Sequence, residues 1–506
     1  MKKYILILIS CILLGMTGTS CTTDFLDVES PDKVFVDEYY NSDERIFEAL
    51  VAAYDPLKWF DYAWGQYTHI GLVSDVMADD VYVGGADEND CIYLHRMFNY
   101  NALPTSVVSD LWTTFYSGVN RSNVVVENIE NVTDISNENK ALYTAEAKIL
   151  RSFYYAWLWK LWGNIPYYEQ NLTFPYIHEQ STADDVYNGI ITSLEDAIDN
   201  GGLPMRTTAQ WYGRVSKAMA YMLYTEVVMY QQDESRYSKA LSYMEEIIAS
   251  GSYDLVDDFA SIWEEAGEWN TESIFEINYV STAGKRAWDN ATGAGGSVYP
   301  KFIGINNLGS SPDYEGGWGF EPVRVETYEM YDEADERRDG GILNFADYTV
   351  STGATYTGRY QDTGYFLRKY LPRVGGNAGH AADADMNYNN NFRVYRYAET
   401  LLYASELLAR GVSGKGTAQN YLNEVRDRAG LGSIPATVDN IIQERRLEFV
   451  GEGKRYWDLV RTGKATTVLV PDGQYRTNSW TPNKKYLPIP QNEIDAAQGT
   501  LTQNNY

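Results

Sequence analysis

The stretch IIQERRLEFVGEGKRYWDLVR, residues 441–461, combines a helix signal, a glycine break and a high density of charge. Its pattern predicts two short helices joined at residues 451–453. Gly451 follows Val450 where a helix commonly ends in a left-handed residue, a conformation that glycine adopts without a Cβ clash. Ile442 and Phe449 are seven residues apart and share one helical face, which we expect to be buried.

The charged side chains of this stretch are interleaved with large apolar ones. They are Arg445, Arg446, Glu448, Glu452, Arg455, Asp458 and Arg461, among Leu447, Tyr456, Trp457 and Leu459. Arginine suits such a site because its planar fork binds a carboxylate through two hydrogen bonds while its stem packs on aromatic rings. We predict a structural ion-pair network here and prefer it to a catalytic role, since buried charges with shifted pKa values also occur in purely structural networks.

This stretch and several others resemble the SusD/RagB family of outer-membrane lipoproteins from Bacteroidetes. The matching pieces are AEAKILRSFYY (145–155), GNIP (163–166), RVYRYAETLLYA (393–404), NEVRDRAG (423–430), YLPIPQNEI (486–494) and QNNY (503–506). The resemblance runs from Cys21 to Tyr506 and is weakest in the middle of the chain. It implies a non-catalytic protein that captures glycans at the cell surface and passes them to a SusC-like TonB-dependent outer-membrane transporter.

Helical periodicity covers about residues 41–250 and 393–465. In the first block, Val186, Ile190, Leu194 and Ile198 repeat every four residues, as expected for a helix with one buried face. We predict a mainly α fold in which helix pairs stack as in tetratricopeptide proteins, although no strict repeat of fixed length is visible. The helices and the insertion described next are predicted to form one SusD-like body over residues 21–506.

About residues 255–390 differ in composition from the helical blocks. Residues 291–380 alone hold 16 of the 41 glycines and carry many tyrosines. This composition predicts a large loop-rich, glycine- and aromatic-rich insertion with short hairpins, which is the expected ligand-binding part. Residues 61–106 also lack helical periodicity and are predicted to be irregular, and long loops in compact proteins commonly carry function.

The first residues have the pattern of a targeting segment. Lys2 and Lys3 precede an apolar run over residues 4–15, and small residues at 18–20 lead into Cys21. The run is too short for a permanent membrane span. We expect residues 1–20 to be a lipoprotein signal peptide and Cys21 to carry the lipid that anchors the protein to the outer membrane. The alternative is an ordinary secretory signal with an incidental cysteine.

Several functional classes are disfavoured by the sequence. The formal net charge of −29 argues against binding nucleic acid through a basic face. The four histidines have no metal-like spacing, and the nucleophile-elbow, phosphate-loop and HExxH motifs are missing. Residues 383–389, DADMNYN, resemble the start of a calcium loop, but Tyr388 and Val394 stand where glycine and glutamate are needed. We therefore expect no catalytic residue, cofactor or metal.

The 43 tyrosines and 13 tryptophans suit a surface that binds sugar. Flat aromatic faces cover the C–H faces of a pyranose ring, while polar side chains reach its hydroxyl groups. Trp318, in GGWGF (316–320), is the first candidate because flanking glycines leave its indole face clear. The other candidates for ligand contact are Trp288, Tyr299, Phe320, Asp79, Asp80, Tyr82 and Asn101.

Two other functions remain open at this point. A helical-repeat scaffold could bind protein or peptide in its groove. A surface glycoside hydrolase needs only two carboxyl groups at a set separation, which spacing in the sequence does not reveal. The sequence does not identify the sugar.

Overall fold

Helices dominate residues 39–506, the part of the chain that the computed structural model describes. The predicted signal peptide (1–20) and lipidated Cys21 lie outside these residues. The helices are α1 (Asp43–Tyr54), α2 (Ile70–Val76), α3 (Ile92–Phe98), α4 (Ser109–Asn128), α5 (Asn137–Trp162), α6 (Ala183–Asn200), α7 (Lys217–Gln231), α8 (Tyr237–Ala249), α9 (Tyr299–Ile303), α10 (Val325–Glu329), α11 (Glu336–Gly341), α12 (Phe345–Thr352), α13 (Tyr397–Ala409), α14 (Ala418–Arg428), α15 (Val438–Glu448), α16 (Arg455–Arg461), α17 (Ala465–Val468) and α18 (Gln491–Ala496). The strands are β1 (Ile165–Pro166), β2 (Gln180–Ser181), β3 (Ser273–Ile277), β4 (Ile342–Asn344), β5 (Tyr365–Leu367) and β6 (Phe392–Arg396).

Polar caps begin the longer helices of the stack. Ser136, Thr182 and Ser216 precede α5, α6 and α7, and each side-chain oxygen accepts a hydrogen bond from a backbone N–H in the first turn. The four apolar residues that repeat along α6 are all buried, as their spacing predicted. Local sequence therefore sets where these helices begin and which face they bury.

The helices pack side by side in a continuous series. In this series α4 packs on α5, α5 on α6, α6 on α7 and α7 on α8, after which α13 packs on α8 and is followed by α14. No helix pair can bury its apolar face alone, so neighbouring pairs share one hydrophobic core. The predicted mainly α class is confirmed. The chain leaves the stack after α8 and returns to it at α13.

The chain between α8 and α13 is rich in loops. It contains the short helices α9–α12 and two antiparallel strand pairs, β4 with β5 and β3 with β6. The second pair joins the beginning of this segment to its end, with Ile277 opposite Phe392. The β3–β6 ladder therefore brings the long loops back to the stack at one place.

Residues 61–106 are less irregular than the sequence predicted. They contain α2, which is buried at every position, and α3. A helix that is buried all round has no polar face and shows no amphipathic period, which is why the pattern did not reveal α2. The segment before α2, residues 61–69, is a loop and carries three aromatic residues of the candidate site.

The two helices predicted in residues 441–461 are α15 and α16. Gly451 and Gly453 between them have φ values of 78° and 73°. A Cβ at Gly453 would lie 2.9 Å from the Cα of Gly71, so the turn packs directly on the backbone of α2. Gly453 is therefore required both by its left-handed conformation and by this close approach.

Buried arginines of this segment bind carboxylates on α13. Arg445 binds Glu399 at 2.9 Å and Asp458 at 2.8 Å, and Arg461 binds both oxygens of Glu406 at 2.7 Å. All five side chains are buried. Removing one partner of a buried pair typically costs about 3–5 kcal/mol, because the other charge is left uncompensated. These pairs fix α15 and α16 to the stack.

Carboxylates of the same segment bind cations from the insertion and from β6. Glu448 binds Arg396 at 2.9 Å and Arg337 at 3.1 Å, and Glu452 binds Lys369 at 2.6 Å. Although burial opposes it, the surrounding arginines hold the pKa of Glu448 well below its usual range. The ion-pair network that the sequence predicted is therefore present, and it joins the insertion to the helical stack.

Candidate functional site

Four aromatic rings from separate parts of the chain meet at one surface, which we call the aromatic platform: Tyr62, Tyr67, Trp288 and Trp318. The ring centroids of Trp288 and Trp318 lie 6.0 Å apart at 31° to each other. Tyr62 meets Trp288 edge-on at 5.3 Å, and Tyr67 meets Trp318 edge-on at 5.4 Å. Two of the predicted ligand residues are therefore neighbours in one continuous cluster.

The platform is open to solvent. Trp288 is 40% exposed, and the other three rings are half-buried. Beside it, Trp64 is 48% exposed and packs edge-on against Trp59, whose indole N–H donates to the carbonyl of Thr292 at 3.1 Å. A cluster of exposed aromatic rings next to polar residues is typical of a binding site.

A buried ion pair joins the loops that carry Tyr62 and Trp288. The carboxylate of Asp61 accepts hydrogen bonds from Nη1 and Nη2 of Arg286 at 3.0 and 2.6 Å, and neither side chain is more than 2% exposed. Arg286 also donates to three backbone carbonyls, including that of Tyr62. Burial acts to lower the pKa of the Arg286 guanidinium, but the neighbouring Asp61 carboxylate outweighs burial and raises that pKa, so the guanidinium stays charged. The pair fixes the two loops relative to each other.

Trp318 is positioned through its backbone. Its N–H donates to the carbonyl of Lys301 at 3.0 Å, and its own carbonyl accepts from Arg359 at 2.5 Å. A Cβ at Gly317 would lie 2.4 Å from the Cα of Gly304, so these two segments can pack together only because neither has a side chain. The glycine before Trp318 therefore serves close backbone packing, whereas the sequence suggested that it clears the indole face.

Residues 383–389 form hydrogen bonds to the loop that carries Trp288. The backbone N–H of Trp288 donates to the carboxylate of Asp383 at 3.0 Å, and the amide of Asn387 donates to the carbonyl of Arg286 at 2.9 Å. Asp385, which is partly exposed, binds Lys301 at 3.1 Å. In this structure the segment that resembles a calcium loop thus holds Trp288 in place and adds polar groups beside it.

Tyr299 and Phe320, two other predicted ligand residues, lie in the core beneath the platform. Tyr299 stacks on His69 with centroids 3.8 Å apart, and its hydroxyl donates to Glu321 at 2.8 Å. Phe320 stacks on Phe302, which in turn contacts Tyr67 and Trp318 of the platform. Because Tyr299 and Phe320 are both buried, the structure gives each a supporting position and not the surface position that the sequence suggested.

Asp79 and Asp80 belong to the ion-pair network. Asp80 is buried and accepts from Arg446 at 2.7 Å, while Asp79 accepts from Arg455 at 2.9 Å. Burial acts to raise the pKa of Asp79, but Arg455 and Arg446 outweigh it and hold that pKa below its usual value. Burial raises the pKa of Asp80, an effect that Arg446 opposes but does not cancel. Both carboxyl groups are thus engaged by arginines within the protein, which removes the reason to expect them at a sugar hydroxyl.

Tyr82 and Asn101 also lie away from the platform rings. Tyr82 is buried, with the guanidinium of Arg324 4.7 Å above its ring. Asn101 is exposed on the loop after α3, and the nearby carbonyl of Pro104 accepts from the backbone of Gln491 near the C-terminus. The structure thus brings Trp288 and Trp318 together and separates the remaining candidates from them.

Sequence reasoning did not select Tyr62, Trp64 or Tyr67. All three lie in the loop 61–69, inside a region that the sequence predicted to be loop-like and functional. The available signal was the spacing of three aromatic residues around Gly65. Their partners at 288 and 318 are more than 200 residues away, so the cluster itself could be found only in the folded chain.

The platform provides flat apolar faces flanked by amide and carboxylate groups. Such faces stack on the C–H surface of a pyranose ring, and exposed Asp289 and Asn290 beside Trp288 can bond hydroxyl groups. Within residues 39–506, no group of three or more His, Cys, Asp or Glu side chains is arranged to hold a metal ion. The geometry of the platform suits stacking on a saccharide ring.

Two family models match this chain. One, described as "SusD family", matches residues 271–506, and the other, described as "Starch-binding associating with outer membrane", matches residues 24–228. A SusD-like protein from Bacteroides ovatus is 25% identical over an alignment of 512 positions, which covers 95% of this chain and 86% of the relative. In the part of the chain that the structure describes, no helix is long and apolar enough to cross a membrane.

Similar solved structures include glycan-binding proteins. Surface glycan-binding protein A from Bacteroides thetaiotaomicron, solved in complex with laminarihexaose, is 51% identical, with a TM-score of 0.88 over 92% of this chain and 100% of that one. Its namesake from Bacteroides uniformis is 46% identical, with a TM-score of 0.83 over 92% and 99% of the two chains. A structure described as a laminarin-binding SusD-like protein is 30% identical, with a TM-score of 0.83 over 92% of this chain and 100% of that one.

Proposed function

Because this chain belongs to the SusD/RagB family, whose solved members similar to it include glycan-binding proteins, we propose that it captures laminarin-type glucan on the aromatic platform. The observation that carries this proposal is the meeting of Trp288 and Trp318 with Tyr62 and Tyr67 at one exposed surface. The 31° tilt between the indoles makes the surface curved, which suits an oligosaccharide that is not straight.

Stacking supplies most of the affinity in this proposal. Burying aromatic surface contributes about 25 cal/mol per Å² of apolar area, and a fully used indole contributes more than any single hydroxyl contact. Interface residues of this type typically cost about 2 kcal/mol or more when truncated to alanine. The exposed Asp289 and Asn290 then set the orientation of the sugar through its hydroxyl groups.

The cellular role follows from the family and from the first 21 residues. In this proposal the lipid on Cys21 tethers the protein to the outer face of the outer membrane. The captured oligosaccharide is passed unchanged to a SusC-like TonB-dependent transporter, and the chain itself is not an enzyme. The ion-pair network at residues 441–461 keeps the loops and the stack in one arrangement while the ligand is transferred.

The proposal is tested by calorimetry with laminarihexaose and residues 22–506. We expect Trp288→Ala and Trp318→Ala each to weaken binding by about thirtyfold, the equivalent of 2 kcal/mol. The matched control is Trp211→Ala, because Trp211 is 41% exposed but packs on Phe47 and Arg214 outside the platform. Equal affinities for wild type and both platform variants would reject the platform as the site.

The absence of catalysis has its own test. Laminarin incubated for many hours with the protein should show no increase in reducing ends above a buffer control. Release of shorter products would instead support the hydrolase alternative and would direct attention to pairs of carboxyl groups beside the platform.

A further inference from the structure

A cleft partly lined by aromatic rings lies along helix α4. Helix α4 forms its floor, the segment 166–178 forms one wall, and residues 493–501 form the other. Its volume is about 440 Å³, which is within the usual range for small-molecule sites. We call it the C-terminal cleft.

A row of four rings runs along the C-terminal cleft. Trp112 and Tyr116 lie 5.0 Å apart on α4, Tyr116 and Tyr168 stack at 6.0 Å and 17°, and Tyr168 lies 5.7 Å from His178. The hydroxyl of Tyr116 donates to a backbone carbonyl at 2.8 Å, and that of Tyr168 donates to Asn120 at 2.9 Å. The rings are therefore fixed in orientation before any ligand arrives, which lowers the entropy cost of binding.

The chain segments that form the two walls are bonded to each other just beyond the walls, at Gln180 and Thr502. The backbone N–H of Thr502 donates to the side chain of Gln180 at 2.9 Å, and the Gln180 amide donates to the carbonyl of Thr502 at 3.2 Å. The wall at residues 493–501 continues from the piece 486–494 and precedes the piece 503–506, the two C-terminal stretches in which the sequence resembles the family. The cleft is built from elements that the fold holds together and not from a single loose loop.

Polar groups are interspersed among the rings. Thr113, Ser117, Asn120, Thr500 and Glu493 line the cleft with the aromatic residues. Glu493 is partly buried, which raises its carboxyl pKa, and its side chain accepts from Asn492 at 2.8 Å. Among the described residues that line the cleft, none is lysine or arginine. This mixture of aromatic faces, hydroxyls, amide and carboxylate suits a neutral polyhydroxyl ligand more than an anionic one.

We propose that the C-terminal cleft is a second binding site for neutral oligosaccharide, separate from the aromatic platform. A peptide is the less favoured occupant, because the cleft combines aromatic rings with side chains that can bond hydroxyl groups along its length. The choice of laminarin as a probe rests on the proposed function of the platform. The assignment of the cleft as a saccharide site rests only on the geometry of the cleft.

Helix α4 connects the two sites physically. The carboxylate of Asp110 accepts from the backbone N–H groups of Trp64 and Gln66 in the platform loop, at 3.2 and 2.9 Å. The cleft begins at Trp112 and extends to Asn120, about 12 Å further along the helix at 1.5 Å per residue. A long glucan chain lying along α4 could therefore contact both sites, and the second contact would raise its effective affinity.

The experiment titrates laminarihexaose into residues 22–506 carrying Trp288→Ala and Trp318→Ala, so that only the cleft remains. We expect residual binding with a Kd on the order of 1 mM. Adding Asn120→Ala, Tyr176→Ala and Glu493→Gln should abolish it, because all three line the cleft while Tyr176 is 69% exposed and Asn120 is exposed. The matched control is Trp211→Ala, which removes a 41% exposed ring that packs on Phe47 and Arg214 and does not line the cleft. It should leave the residual binding unchanged.

The outcomes separate this inference from the proposed function. Two results would overturn the second site. One is the absence of any residual binding in the platform variant. The other is residual binding that survives the cleft substitutions in a protein whose circular dichroism spectrum is unchanged. If wild type binds no more tightly than the platform variant, the platform proposal fails, while the cleft is still decided by its own substitutions.

Discussion

Substituting Asp61 tests the physical basis of the platform. Its Oδ1 accepts from Arg286 and the backbone of Tyr62, and its Oδ2 accepts from Arg286, Ser297 and the backbone of Val298, all at 2.6–3.0 Å. In Asp61→Asn one oxygen becomes an NH₂ group, so at least two of these hydrogen bonds are lost and two donors face each other. The guanidinium of Arg286 also stays buried without its counter-charge.

These losses set the expected magnitude. Leaving a buried charge uncompensated costs about 3–5 kcal/mol, and each unsatisfied buried donor contributes about 1–3 kcal/mol to that total. We expect Asp61→Asn to lower the free energy of unfolding by about 3 kcal/mol or more in urea denaturation. Laminarihexaose affinity should fall about tenfold or more, because the loops carrying Tyr62 and Trp288 lose their fixed relation.

A neighbouring pair provides the control. Asp385 binds Lys301 at 3.1 Å beside the same platform, but its side chain is partly exposed. Asp385→Asn should change stability by less than about 1 kcal/mol, as for other surface pairs. A loss from Asp61→Asn as small as that from Asp385→Asn would refute the reasoning. So would full laminarihexaose affinity in a clearly destabilised Asp61→Asn protein.

Two further predictions concern the core. Burial raises the pKa of Glu321 to about 8, so between about pH 4.5 and 8 the folded state binds more protons than the unfolded state, and stability should fall as pH rises through this window. Glu321→Gln should reduce that fall in the free energy of unfolding by up to about 1.4 kcal/mol per pH unit, as measured by urea titrations at pH 5 and 8. An equal dependence of stability on pH in both proteins would contradict the raised pKa of Glu321. Gly453→Ala should destabilise the fold by about 1–3 kcal/mol in thermal unfolding, since its Cβ would lie 2.9 Å from the Cα of Gly71. Gly463→Ala is the control, because Gly463 has the same φ of 73° but a Cβ there would meet open space. The difference in stability between the two variants therefore measures the clash at residue 453, and equal losses of stability would exclude that clash.

The fold class was predictable because its signals are local. The repeat of four apolar residues on α6 and the arginine-rich stretch before Arg461 are read from short windows, and both have the structure expected of them. The pairing of charges could also be anticipated, since arginines interleaved with aromatics have few other low-energy environments. What sequence could not supply was the choice of partner, for example Glu399 for Arg445, 46 residues away.

The site was only partly predictable, and the reason is burial. Trp288 and Tyr299 both lie in the glycine-rich insertion, yet one ring is 40% exposed and the other is buried and stacks on His69. Composition cannot separate these cases, because burial depends on which distant segment covers a loop. Tyr62 and Tyr67 were missed for the same reason, since their role arises only when Asp61 meets Arg286, 225 residues later.

The helical framework and the aromatic platform are held in place by different ion pairs in this chain. The network around residues 441–461 binds α13, β6 and the insertion through Glu448, Glu452 and Arg445, whereas the platform loops are fixed by Asp61 and Arg286. Substitutions more than about 7–10 Å apart that share no partner usually have additive effects on stability. Changes of the platform rings should therefore alter which saccharide is bound without weakening the stack.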